Sequence, residues 1–140
     1  MKTAMIIASD AGARTAGIIR EELGKEVDLF SVSERSGCVR IDSITDFTLR
    51  HFGDYEAFVF IGAMGICVRA IAPCVTSKYA DPAVVNVDAT GHFVVSVLAG
   101  HVGGANALTE RLARILGAQP VVTTQSDNTG LWALDLLGKE

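Results

Sequence analysis

The sequence predicts an α/β fold: a mainly parallel open sheet with helices on both faces and an inserted β-hairpin. Three observations lead there. Short apolar runs, Ala4-Met5-Ile6-Ile7-Ala8 and Ala57-Phe58-Val59-Phe60-Ile61, read as strands buried on both faces. Stretches with apolar residues at helical spacing separate such runs, so the first half has the order β-α-β-α-β-α of a parallel sheet. Two further strand-like runs, Val84-Val85-Asn86-Val87-Asp88 and Phe93-Val94-Val95-Ser96-Val97-Leu98, are joined only by Ala89-Thr90-Gly91-His92. A connection that short permits an antiparallel hairpin and forbids a helical crossover.

Each element has a local cause. After the first strand, Ser9-Asp10-Ala11-Gly12 breaks the apolar run, and Ile18, Ile19 and Leu23 mark a helix that Gly24 stops. Val27 to Val32 reads as a second strand, followed by a polar loop from Ser31 to Arg40. Ser43-Ile44-Thr45-Asp46 is a helix start, with the Ser43 hydroxyl placed to cap and Asp46 near the positive helix end. Ile44, Phe47 and His51 share a face, and Gly53 ends that helix. Gly62-Ala63-Met64-Gly65 opens a short helix through Ile71, which Pro73 terminates. After the hairpin, Ala105, Leu108, Leu112, Ile115 and Leu116 line one side of an amphipathic helix, with Thr109, Glu110, Arg111 and Arg114 on another. Gly117 caps it, and Pro120 to Thr124 is a last strand. From Ser126 onward, Leu131, Trp132, Leu134, Leu136 and Leu137 suggest one more helix.

The 140 residues suit one domain, and with 49% hydrophobic and 20% charged residues they can bury a core. The formal net charge of −4 supports neither a nucleic-acid face nor attachment to an anionic membrane. Cys38, Cys67 and Cys74 form no CxxC and no zinc spacing, so free thiols in a reducing cytoplasm are expected, and no metal site. The apolar run near Met1 is too short for a signal peptide or a spanning helix, which leads to the expectation of a soluble, cytoplasmic protein.

In an open parallel sheet, ligands bind beyond the strand carboxyl ends. Four segments at strand ends stand out: Ser9 to Gly12, Gly62 to Gly65, Gly100-His101-Val102-Gly103-Gly104-Ala105-Asn106, and Thr123 to Asp127. Glycines there let backbone N–H groups approach a ligand, and a helix N-terminus favours an anion, a phosphate or a carboxylate alike. The sequence lacks GxxxxGK[ST], GxGxxG after the first strand, GxSxG and HExxH. Nucleotide-binding, serine-hydrolase and zinc-protease readings therefore have no fingerprint.

His101, flanked by glycines before a helix, is the candidate general base, since imidazole titrates near neutrality. Its plainer role is an exposed or capping loop residue. His92 reads as a solvated turn residue and His51 as a half-buried surface histidine. Asp10 and Asp127 follow strands, where capping is the common job of an aspartate. Asn106 caps or braces the Gly103-Gly104 turn. Arg69 and Lys78 flank Pro73 and suit an acidic ligand, although solvated charge is the default. Met64 and Cys67 read as packing residues.

Together these segments resemble one known family. Gly62-Ala63-Met64-Gly65-Ile66-Cys67-Val68-Arg69-Ala70-Ile71-Ala72-Pro73 is similar to its GAMGI-x-VR-x-IAP segment, and Lys78 with Asp81-Pro82-Ala83-Val84-Val85 and Val87-Asp88 to its K-x-x-DPAVV-x-VD segment. Leu98 to Asn106 resembles L-x-GH-x-GGAN, and Gly117 to Thr124 resembles GA-x-PV-x-TT. The family is cobalt-precorrin 5A hydrolase, CbiG, of anaerobic cobalamin biosynthesis. The likeness is densest from Phe58 to Asp127.

The resemblance implies a hydrolase that opens the ring A δ-lactone of a cobalt-corrinoid precursor with water and releases the C20 unit as acetaldehyde. It implies no cofactor, because the cobalt is carried by the substrate. It also implies that residues 1–140 are the N-terminal domain of a longer cobalamin-biosynthesis protein, with a further C-terminal domain and other pathway enzymes as partners. On that reading His101 and Asp127 are the catalytic candidates, with Asp10 an alternative to Asp127. Asp10, Gly62, Gly65, Arg69, Lys78, Gly103, Gly104, Asn106 and Thr124 are candidates for holding substrate. The rival readings are a non-catalytic corrinoid-binding domain and an enzyme-docking domain of a larger protein.

Overall fold

The computed structural model describes residues 1–124. The strands are β1 (Thr3–Ile7), β2 (Val27–Ser31), β3 (Val39–Arg40), β4 (Ala57–Ile61), β5 (Ala83–Val87), β6 (Phe93–Leu98) and β7 (Gln119–Val121), and the helices are α1 (Ala13–Leu23), α2 (Ile44–His51), α3 (Met64–Ile71) and α4 (Ala105–Leu116). The strands form one sheet in the order β3-β2-β1-β4-β5-β6-β7. β1 to β5 are mutually parallel, β6 returns antiparallel beside β5, and β7 runs parallel to β6. The expected inserted hairpin is thus present, with a register shift at Val84/Val85.

The helices do lie on both faces, because strand side chains alternate between two cores. On one face Met5, Ile7, Val59, Val85 and Val94 meet Ala16 and Ile19 of α1 and Leu108 and Leu112 of α4. On the other, Ala4, Ile6, Phe58, Phe60 and Val84 meet Phe47 of α2 and Cys67, Ala70 and Ile71 of α3. β1 and β4 have no exposed residue at all, which is why their sequences are unbroken apolar runs.

Local signals hold where they rest on side-chain chemistry. The Ser43 Oγ accepts the Asp46 N–H at 3.1 Å, as a helix cap should. Gly117 takes a left-handed φ of 66° and donates its N–H back to Ala113 and Arg114. Differences arise where tertiary context decides. The loop after β2 contains an unforeseen edge strand, β3, of two exposed residues paired with Phe30 and Ser31. The expected Ser126 helix lies outside the described residues.

Thr109 was expected on the polar side of α4 but is fully buried, because it stands four residues after Ala105 and three before Leu112, on the helix face turned to the core. Its Oγ1 has no hydrogen-bond partner among the described residues. A buried hydroxyl without a partner costs stability, so Thr109→Val, which keeps the shape, is expected to raise unfolding free energy by about 1 kcal/mol. Urea unfolding checks this; a lowered midpoint would contradict it.

The hairpin turn is locked by one carboxylate. Asp88 accepts the His92 and Phe93 N–H groups at 2.8 and 2.6 Å and the Thr90 hydroxyl at 2.5 Å. Partial burial pushes its pKa up, but these hydrogen bonds outweigh burial and hold it below the usual aspartate value. The stabilisation is therefore present above the unfolded-state value and lost as pH falls through the lower folded value. Asp88→Asn is expected to lower stability near neutral pH and to flatten its decline in acid, read from denaturation midpoints across pH. An unchanged acid limb would contradict this.

Candidate functional site

The hairpin decides where the candidate residues sit. Leu98, the last residue of β6, lies opposite Val84 at the start of β5. Every segment after β6 and β7 therefore emerges at the amino edge of the parallel strands. The loops after β1 and β4 emerge at the carboxyl edge instead. The four segments expected at one edge are split between two, separated by the length of a five-residue strand, roughly 17 Å.

At the carboxyl edge lie Asp10, Gly62 and Gly65, with Arg69 one turn further along α3. Asp10 is exposed and paired with the Arg35 guanidinium. The Gly62 N–H is donated to the Val87 carbonyl at 2.9 Å, and the Asn86 amide donates to the Gly62 carbonyl at 3.2 Å. A Cβ on Gly62 would sit 2.8 Å from the Ala8 Cβ, and one on Gly12 would sit 2.7 Å from the Ile61 Cγ2. These two glycines thus let the β1 and β4 loops pack against each other. Gly65 leaves room for the Arg69 guanidinium, whose Nη1 lies 3.4 Å from where a Gly65 Cβ would be.

The amino edge gathers Lys78, His101, Gly103, Gly104, Asn106 and Thr124. The loop into β5 is pinned by Asp81, which is 7% exposed and accepts the Thr76 N–H at 3.0 Å and hydroxyl at 2.8 Å. That pinning carries the exposed Lys78, whose Nζ lies 5.3 Å from the Tyr79 ring centre.

The turn from β6 into α4 is tightly specified. Ala99 has φ 59°, the left-handed region that costs an ordinary residue about 1–2 kcal/mol. The Ala99 and Gly100 carbonyls accept the Ala105 and Asn106 N–H groups at 3.1 and 2.9 Å, closing the loop on the start of α4. Gly103 is pressed against Ala99: a Cβ there would be 2.6 Å from the Ala99 Cβ and 3.0 Å from its carbonyl oxygen. Asn106 spends both side-chain polar atoms on bracing, its Oδ1 accepting from the Ser96 hydroxyl at 2.7 Å and its Nδ2 donating to Thr124 Oγ1 at 2.9 Å. Asn106 and Thr124 therefore act as braces of the turn. Ser96 completes that chain, and its hydroxyl within an apolar strand was the overlooked signal.

What remains presented is His101 and Val102, both exposed, and the Gly103 and Gly104 amides, neither of which donates a hydrogen bond among the described residues. Gly104 is the N-cap of α4 and offers no side chain. Two free amides at the positive end of a twelve-residue helix can hold a carboxylate or an oxyanion. Asp127 lies outside the described residues. Neither Cys67 nor Cys74 is a ready thiolate: burial pushes Cys67 up to about 12, and burial with the nearby Asp81 charge raises Cys74. Among the described residues no three His, Cys, Asp or Glu side chains gather as a metal site, and no helix is long and apolar enough to cross a membrane.

Comparison with known proteins bears on both edges. Residues 46–127 match the family model described as Cobalamin synthesis G N-terminal. The chain is 56% identical over 86 residues to a cobalt-precorrin-5A hydrolase of Salmonella typhimurium, covering 61% of this chain and 24% of that protein. It is 48% identical over 88 residues to a cobalt-precorrin-5A hydrolase of Priestia megaterium, covering 63% and 24%. A crystal structure of a cobalamin biosynthesis protein G homolog from Sulfolobus solfataricus superposes with a TM-score of 0.68 at 27% identity, covering 86% of this chain and 36% of that one. The matches thus span about a quarter of the two curated relatives. With more than half of its residues matched by the family model, the chain belongs to the Cobalamin synthesis G N-terminal family.

Proposed function

We propose that this chain is the N-terminal part of a cobalt-precorrin-5A hydrolase and that the Ala99–Asn106 turn is its substrate-facing element. The observation that carries the reading is the pair of unspent Gly103 and Gly104 amides beside exposed His101, on a turn strained at Ala99. Backbone strain that the surroundings enforce is a mark of functional sites.

The chemistry follows from the groups present. Water adds to the carbonyl carbon of the substrate's ring A δ-lactone while His101 takes its proton. The two amides face the oxygen that becomes negative. The ring C–O bond then breaks, its oxygen takes up a proton, and a carboxylic acid remains. A positioned base contributes about 10²–10⁴-fold and one oxyanion donor about 10²–10³-fold. The freed hydroxyl on C20 then gives up its proton as the C–C bond joining C20 to the macrocycle breaks. The bond's electron pair passes to the macrocycle, which takes up a proton, and the C20 unit leaves as acetaldehyde. The cobalt arrives with the substrate, whose rim carboxylates suit Lys78 at the same edge as His101.

The test is anaerobic incubation of the chain with cobalt-precorrin 5A, trapping acetaldehyde and following corrinoid mass and absorbance. Acetaldehyde with the matching mass loss supports a complete site on this chain. An absorbance shift without acetaldehyde makes it a binding part that needs further chain. The absence of both signals contradicts the reading.

A further inference from the structure

A cavity of about 220 Å³ opens beside the substrate-facing turn, between the end of α1, the starts of β1 and β2, and the first turns of α4. Gly104 belongs to both the turn and the cavity wall. Leu23, Val27, Ala107 and Leu108 make the lining mainly apolar. Its polar groups are almost all spent. The Thr3 hydroxyl donates to the Met1 carbonyl at 3.1 Å, and Glu26 pairs with the Met1 ammonium at 3.1 Å. Arg111 is the exception, with no ion pair or hydrogen bond among the described residues.

We propose that this cavity is a binding pocket for a carboxylate carried on an apolar stem, with the stem between α1 and α4 and the carboxylate on Arg111. An apolar chamber with one uncommitted guanidinium selects that chemistry: the lining favours desolvated carbon, and a planar fork of donors matches a carboxylate. The volume admits a side arm of several carbons and excludes a macrocycle. Resting on the function proposed above, the occupant is one carboxylate arm of the corrinoid precursor, inserted while the ring lies over His101. Arg111 then selects among substrates and takes no part in moving protons.

Two probes separate this from the reading it rests on. Hexanoate, a simple stemmed carboxylate, is titrated into ¹⁵N-labelled protein while the Gly104, Ala107 and Leu108 amides are followed by NMR. Saturable shifts at those amides are expected at millimolar hexanoate, with loss of the response in Arg111→Ala and in Ala107→Trp, which fills the chamber from an exposed position. No response, or the same response in Arg111→Ala, overturns the pocket. Cobyrinic acid, a corrinoid with free carboxylate arms, is then titrated by its visible absorbance. Arg111→Ala is expected to weaken it roughly tenfold, the worth of one charge-assisted contact, while its neutral heptamethyl ester is indifferent to the substitution. Equal affinity in wild type and Arg111→Ala overturns the assignment. If hexanoate binds and cobyrinic acid does not, the pocket stands and the corrinoid reading falls.

Discussion

Gly103→Ala is expected to destabilise the protein by about 3 kcal/mol, because the added methyl meets atoms that cannot retreat. Its Cβ would lie 2.6 Å from the Ala99 Cβ, 3.0 Å from the Ala99 oxygen and 3.4 Å from the Ala83 N. Ala99 is held by its own left-handed φ and by the hydrogen bond to Ala105, and Ala83 by the sheet. Relief must come from opening the turn, which also withdraws the Gly103 and Gly104 amides. For a chain of this size the loss corresponds to a fall in Tm of about 10 °C. Gly117→Ala is the comparison: its φ is 66° but nothing lies within 4 Å, so only the conformational cost of about 1 kcal/mol applies. Calorimetry of the two variants checks the argument. Equal transitions would show that close packing at Gly103 is not what shapes the turn.

On the proposed hydrolase function, His101→Ala carries the largest expected effect on rate, a loss of about 10²–10⁴-fold in acetaldehyde release with little change in stability. The side chain is exposed, so its removal opens no core cavity. Asn106→Ala is the counterpart with the opposite signature. It breaks the contacts to Ser96 and Thr124, so it lowers Tm and loosens the turn while leaving the proposed base in the chain. A split in which His101→Ala costs kcat alone and Asn106→Ala costs stability would separate base from brace. Full turnover in His101→Ala would remove the imidazole from the chemistry.

The parts of the fold legible in the sequence were those set by local physics. Ala57–Ile61 and Phe93–Leu98 were read to the residue because buried strands and a four-residue connection leave few alternatives. β3 was invisible because two exposed residues on an edge carry no apolar pattern. Thr109 was misplaced because it was assigned by polarity, whereas its spacing, four residues after Ala105 and three before Leu112, puts it on the buried face of α4.

The candidate residues were legible as strand-end glycines and polar groups, but their division between two edges was not. Gly62 and Gly103 look alike in sequence, as glycines between a strand and a helix. The hairpin sends one to each edge, and strand direction is a property of the whole sheet. Gly62 uses its missing Cβ to admit Ala8 and spends its amide on Val87, whereas the Gly103 amide donates no hydrogen bond among the described residues. Asn106 was legible as a brace, yet its partners Ser96 and Thr124 become neighbours only when β6, β7 and α4 meet.

The claim that matters most is that a corrinoid meets this protein at the amino edge, over His101, Gly103 and Gly104. The direct measurement is amide-resolved NMR of the ¹⁵N-labelled protein titrated with cobyrinic acid. The prediction is that the largest shifts fall on the His101, Gly103 and Gly104 amides while Asp10, Gly62 and Gly65 stay still. Shifts concentrated on Asp10, Gly62 and Gly65 would place the ligand at the carboxyl edge and contradict it.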